Sequence, residues 1–199
     1  FGAVGHAAAT RLVELGAVVV GVSTARGAVV DPDGLDVARL VELRREHGDD
    51  CVARYGRALP ADAVLETPAD ILVPAALQDV IDEDLAATTP VRLVVEGANL
   101  PTTPAAREVL HERGVELVPD FIANAGGVVA AAHSMDVRHS PFPVDPADVF
   151  AMISTKMRAN AVTVIEERRR RGVTPHEAAL LLARSRVRTA MELRGQVGR

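Results

Sequence analysis

The sequence has one cysteine in 199 residues, a formal net charge of -5 and no long apolar run, and each shortage excludes a class of protein. A lone Cys51 rules out an intrachain disulfide framework and a cysteine cluster for zinc, and it fits a reducing cytoplasm. Without a basic excess there is no footprint for a phosphate backbone, so no nucleic acid partner is expected. Arg168-Arg-Arg-Arg171 reads as the end of a helix, where cations complement the dipole. No apolar stretch reaches the roughly 20 residues of a membrane span, and no charged leader precedes one, so no membrane association is expected. His6, His47, His111, His133, His139 and His176 lack any metal-ligand spacing, although His133 falls on a predicted helix that could reach a pocket. Cys51 stands in a polar region beside Asp49 and Asp50, whose charge disfavours a thiolate nucleophile. Asp31-Pro-Asp-Gly34 has no acid at the position a calcium loop requires and reads as a turn. There is no internal repeat, no low-complexity tract and no nucleophile, base and orienter set.

What is present is a chain that is 48% hydrophobic and long enough for one sizeable core with an appended helical piece. Residues from Gly5 to Leu15 place apolar side chains at helical spacing, and Gly16 stops them. Val18–Val22 is a nearly all-apolar run, as a parallel strand covered on both faces requires. Ile71–Val73, Arg92–Glu96 and Val115–Val118 are further strands, and Thr103–Arg113 is a helix with an N-cap, a proline at its first position and Gly114 behind it. Asp145-Pro146 opens a long amphipathic helix that runs to Gly172. Thr174-Pro-His-Glu177 is a capping box that opens another, and Ser140–Pro146 is the clearest loop. The pattern predicts an α/β fold, a Rossmann-type doubly wound, mostly parallel sheet over residues 1–145, followed by a C-terminal helical segment over 146–199.

Gly2 and Gly5 fit the second and third glycines of a dinucleotide turn, in which the backbone approaches a pyrophosphate at a helix N-terminus; a tight strand-to-helix turn is the plainer alternative. At the end of the next strand, where a carboxylate would hold the ribose 2′-hydroxyl of NAD, the sequence has Ser23-Thr24 with Arg26 behind. Hydroxyls beside an arginine suit the 2′-phosphate of NADP, or tolerance of both cofactors; alternatively Arg26 projects into solvent from a turn ending at Gly27. Asn124, ahead of a Gly126-Gly127 turn at the mouth of the last strand, stands where an α/β enzyme holds a small ligand.

Five ordered blocks carry a resemblance. Phe1-Gly-Ala-Val-Gly5, Gly27–Leu35, Asp70–Leu77, Val94–Asn99 with Pro101-Thr-Thr-Pro104, and Pro119–Val128 together resemble the cofactor domain of the glutamate/leucine/phenylalanine/valine dehydrogenases. The Asp-Pro-Asp-Gly-Leu turn and the Pro-Thr-Thr-Pro segment look closest to the glutamate dehydrogenase branch. The resemblance implies an enzyme that deaminates an L-amino acid to a 2-oxo acid and ammonia with NAD or NADP, usually as a homo-oligomer. It implies that Gly2, Ala3, Val4 and Gly5 hold the pyrophosphate and that Ser23 and Thr24 hold the adenosine ribose. Ala75, Ala76 and Asn99 would line the ribose and nicotinamide, and Asn124 would sit where cofactor and substrate meet. Where glutamate-specific members place a hydroxyl for the substrate carboxylate, this sequence has Ala131 among Val129, Ala130 and Ala132, which favours an aliphatic or aromatic substrate.

The catalytic lysine and aspartate of such enzymes lie in a substrate domain to which no block here corresponds, so no catalytic residue is assigned. A phosphate-binding turn at the very start also leaves no first, central strand ahead of it. The expectation is therefore a fragment that binds cofactor without turning over. Two other classes share these features: a noncatalytic dinucleotide-sensing module and a malic-enzyme-like dehydrogenase of the same fold.

Overall fold

The computed structural model describes residues 1–138 and 144–196, which form two compact units, Phe1–Glu116 and Leu117 onward. The expected Ser140–Pro146 loop and His139 lie largely outside the described residues.

The first unit opens with helix α1 (Ala3–Glu14), which ends where Gly16 adopts φ +88°. Strand β1 (Gly21–Thr24) follows and pairs antiparallel with β2 (Gly27–Val30), Val22 facing Val29 and Ser23 facing Ala28. This corrects the expected strand over Val18–Val22. The ladder is displaced toward Thr24 because Gly27, at φ +142°, closes a tight reversal through Ala25-Arg26. Val18 is left exposed, so the valine run is not covered on both faces. The Asp31–Gly34 segment is a turn, as expected: the Asp33 amide donates to Asp31 Oδ1 at 3.0 Å and the Gly34 amide to the Asp31 carbonyl at 3.1 Å.

Helix α2 (Val37–His47) begins at Asp36, whose side chain accepts from the Arg39 amide at 3.0 Å, and leads through a 3₁₀ turn (Gly48–Asp50) into α3 (Cys51–Tyr55). Cys51 does not stand in polar surroundings. Asp49 and Asp50 face outward on the turn, while Cys51, the next residue, is fully buried in a core with Phe1, Val22, Val29, Leu40 and Val52. A fully buried side chain such as Leu40 contributes about 1.5–3 kcal/mol to such a core.

Strands β3 (Ile71–Leu72) and β4 (Leu93–Val95) pair in parallel, Ile71 with Leu93 and Leu72 with Val94. They belong to a three-stranded sheet of order β3-β4-β5, in which β5 (Glu116–Val118) begins with the Glu116 amide donating to the Arg92 carbonyl at 3.0 Å. The described strands thus fall into an antiparallel hairpin and a small sheet with a parallel pair, rather than into one mostly parallel sheet. Helix α4 (Glu83–Thr88) packs on α5 (Pro104–Glu112). The ends of α5 are those read from the sequence: the Thr103 hydroxyl accepts from the Ala106 amide at 3.1 Å, and Gly114 turns the chain at φ +73°.

In the second unit a short helix α6 (Asp120–Ala123) precedes α7 (Gly126–Asp136). Gly126 and Gly127 are helical rather than a turn ahead of the helix. A Cβ on Gly126 would come within 3.3 Å of Ile153 on α8 (Pro146–Arg171), so the small residue permits close helix packing. Asp145 caps α8, Gly172 ends it in the left-handed conformation, and Thr174 caps α9 (Pro175–Leu193) by accepting from the Glu177 amide at 3.2 Å. Arg170 and Arg171 in the last turn of α8 pair with Glu167, in keeping with the arginine run as a helix end. Val164, Ala178 and Ala179 join Ile122 in the core of this unit. Among the described residues no helix is long and apolar enough to cross a membrane, and no group of histidine, cysteine or acidic side chains could hold a metal ion.

Candidate functional site

Parallel strands carry their carboxyl ends on one edge of the sheet, so the segments after β3 and β4 emerge side by side. A pair of hydrogen bonds clips them together, the Gly97 and Ala98 amides both donating to the Pro74 carbonyl, at 3.0 and 2.8 Å. The approach is close enough to favour glycine. A Cβ on Gly97 would lie 3.2 Å from the Ala75 Cβ, 3.4 Å from Val4 Cγ1 and 3.5 Å from the Pro74 oxygen. Three segments that the sequence reading singled out therefore meet here: the Gly2–Gly5 turn through Val4, the Ala75–Ala76 segment, and the loop from Glu96 to Asn99.

The N-terminus of α1 is suited to an anion. Gly2 is its N-cap, no side chain caps it, and no acid occupies its first turn. Cβ positions built on Gly2 and Gly5 meet nothing within 4 Å, so the turn presents bare backbone. Ala3, Val4, Ala76 and Asn99 are exposed, and Ala75 is half-buried. Next to this edge the backbone is strained. Asp79 and Leu100 take φ values of +53° and +49°, and the Asp79 amide donates to the Leu100 carbonyl at 2.9 Å. Left-handed backbone costs a leucine roughly 1–2 kcal/mol, and such strain collects where a site must be held in shape. Beneath the loop, Glu96 is fully buried and lies 3.9 Å from the Nε of Arg107, whose side chain is 10% exposed.

The end of β1 brings an acid that sequence spacing did not reveal. Thr24 Oγ1 donates to the Asp49 carbonyl at 2.8 Å and accepts from the Arg26 amide at 3.1 Å. The Arg26 Nε then lies 3.7 Å from Asp50 Oδ1. Arg26 is exposed, as a turn residue would be, but it faces a carboxylate contributed by the turn after α2. The strand end itself carries no acid; the carboxylate comes from a segment remote in sequence. The Ser23 carbonyl accepts from the backbone nitrogen of Phe1.

The remaining residues belong to the second unit. Asn124 ends α6, half-buried, with its amide donating to the Asp120 carbonyl at 2.7 Å. Ala131 is exposed on α7, as is Ala132, whereas Val129, Ala130 and His133 are half-buried.

Comparison with known proteins decides the ancestry of this arrangement. The model of the Glutamate/Leucine/Phenylalanine/Valine dehydrogenase family matches residues 1–195. The chain belongs to that family. Among curated members it is 38% identical over 196 residues to a glutamate dehydrogenase of Thermotoga maritima, covering 98% of this chain and 47% of the relative. It is 36% identical over 202 residues to a glutamate dehydrogenase of Aeropyrum pernix, covering 99% of this chain and 48% of the relative. An NAD-specific glutamate dehydrogenase of Staphylococcus aureus is 35% identical over 195 residues, 98% of this chain and 47% of its own length. Among solved structures, the hetero-hexameric glutamate dehydrogenase from Thermus thermophilus in its Leu-bound form aligns over the whole chain and 47% of its own, with a TM-score of 0.87 at 31% identity. The chain thus spans about half the length of the curated relatives it matches.

Proposed function

We propose that this chain is the dinucleotide-binding part of an NAD(P)-dependent L-amino-acid dehydrogenase, with a Rossmann-type domain over residues 1–145 and a helical segment over 146–199. The observation that carries the reading is the meeting of the Gly2–Gly5 turn, Ala75 and Gly97 at the carboxyl ends of two parallel strands, where α/β folds bind nucleotides. Family membership favours this reading over a malic-enzyme-like activity.

The residues fit the cofactor. The bare turn at Gly2 and Gly5 and the uncapped start of α1 offer amide donors to a pyrophosphate, and Ala3 and Val4 complete that turn. Ser23, Thr24 and Arg26 would hold the adenosine ribose, and Ala75, Ala76 and Asn99 would line the ribose and nicotinamide. When bound there, the nicotinamide would supply the hydride acceptor for the α-carbon of an amino-acid substrate. In the forward direction the amino acid and water yield the 2-oxo acid, ammonium and a proton as the oxidised dinucleotide becomes reduced. Asn124, able both to donate and to accept, would orient the substrate. Ala131 and its neighbours bring no hydroxyl, which favours an aliphatic or aromatic side chain over that of glutamate. No residue of this chain is assigned the proton-transfer roles, which we place in a substrate domain of the whole protein, a cytoplasmic homo-oligomer.

The test is a spectrophotometric panel of Glu, Leu, Val and Phe, each with NAD and with NADP, on protein from the complete reading frame. Reduction with one amino acid supports the reading. Silence from a folded protein that binds dinucleotide overturns it in favour of a noncatalytic sensing module.

A further inference from the structure

We propose that Asp50 sets the balance between NAD and NADP in this chain, acting opposite Arg26 at the adenosine ribose. The inference rests on the dinucleotide reading above and deepens it.

The 2′-position of the ribose is recognised at the end of the strand after the phosphate turn. Here that end is Ser23-Thr24 of β1, and the charged side chains meeting there are Arg26 and Asp50, 3.7 Å apart. A 2′-hydroxyl is a donor that a carboxylate accepts, whereas a 2′-phosphate is an anion that the same carboxylate repels and a guanidinium draws. The two side chains therefore select in opposite senses.

Asp50 is placed independently of Arg26. The Thr24 hydroxyl holds the Asp49 carbonyl at 2.8 Å, Arg44 pairs with the Asp49 carboxylate, and Cys51 on the other side is fully buried. Both flanking residues are anchored, so the Asp50 backbone stays beside the strand end whether or not Arg26 is present. The Arg26–Asp50 pair itself is open, with side chains 71% and 63% exposed. Such pairs are weak and readily exchanged, so an incoming ligand can take either partner. Asp50 thus supplies the acid that NAD recognition calls for, from a segment remote in sequence, and it occupies the guanidinium that a 2′-phosphate would need.

The test is fluorescence titration of NADH and NADPH into protein from the complete reading frame, its D50N variant and its R26Q variant, with circular dichroism to verify that each is folded. Asparagine keeps the shape of Asp50 and removes its charge. D50N is expected to tighten NADPH by about tenfold while NADH changes by no more than about threefold, and R26Q to weaken NADPH by about tenfold, the scale of one unit charge near a solvated phosphate. A D50N ratio of NADH to NADPH affinity equal to that of the parent, with both ligands bound, overturns the role of Asp50 and leaves the dinucleotide reading standing. Failure of the folded parent to bind either ligand overturns both.

Discussion

Gly97→Ala is the substitution whose consequences follow most directly from the geometry. The added methyl would sit 3.2 Å from the Ala75 Cβ, 3.4 Å from Val4 Cγ1 and 3.5 Å from the Pro74 oxygen. Carbon atoms pack best at about 3.5–4.0 Å, so Ala75 or Val4 must retreat by several tenths of an ångström. Pro74 cannot retreat freely, because its carbonyl holds the Gly97 and Ala98 amides. Overpacking of this kind costs about 1–3 kcal/mol, and the lower freedom of the unfolded alanine chain offsets about 0.4–1 kcal/mol of it. The net loss is about 1 kcal/mol, a fall in Tm of roughly 2–4 °C for a chain of this size. Dinucleotide affinity should fall further, by about tenfold, because the displaced Val4 belongs to the turn proposed to hold the pyrophosphate. Adding Ala75→Gly removes the 3.2 Å contact and should recover most of the lost affinity, a coupling that a double-mutant cycle measures. The reasoning is refuted if Gly97→Ala melts and binds like the parent, or if Ala75→Gly deepens the loss.

Gly34→Ala should destabilise the hairpin unit by about 2 kcal/mol, since φ there is +110° and the new methyl would lie 2.8 Å from Val18 Cγ1; urea titration reads the change in midpoint. Arg107→Ala removes the cation 3.9 Å from fully buried Glu96 and is expected to cost about 3 kcal/mol in the same assay, with Arg107→Lys intermediate; an unchanged midpoint would show that the pair contributes nothing. Hydrogen bonds from Arg170 and Arg171 hold the Glu167 carboxyl below its usual value of 4.5. Its contribution is therefore complete above the unfolded pKa and is lost as pH falls through the lower folded one. The stability difference between the parent and Glu167→Gln should accordingly be largest at neutral pH and vanish in acid, and a difference that grows toward acid would contradict the pairing.

Helix ends were the most legible part of the fold, because their hydrogen bonds are local. Thr103, Asp145 and Thr174 each accept from an amide two or three residues on, and Gly114 and Gly172 close the helices before them. The β1 strand was less legible. Its valine run reads as buried, yet its register is set by the reversal at Gly27 and by the packing of Gly34 against Val18, neither of which hydropathy encodes. Gly126-Gly127 reads as a turn until the approach of Ile153 is known. At the candidate site, the Gly2–Gly5 turn, Ala75 and the loop from Glu96 to Asn99 could each be read from short motifs, but their meeting through Gly97 is tertiary. Asp50 left no local trace, because its position opposite Arg26 depends on α2 carrying the chain back to the end of β1.

The central claim is that the edge formed by residues 2–5, 74–76 and 97–99 binds a nicotinamide dinucleotide. Amide hydrogen exchange on the 199-residue chain, with and without saturating NADH or NADPH, tests it most directly. The account predicts slower exchange in peptides covering the start of α1, the Pro74–Ala76 segment, the Gly97–Asn99 loop and Ser23–Arg26. A folded chain whose exchange is unchanged in all four segments by either dinucleotide would contradict it.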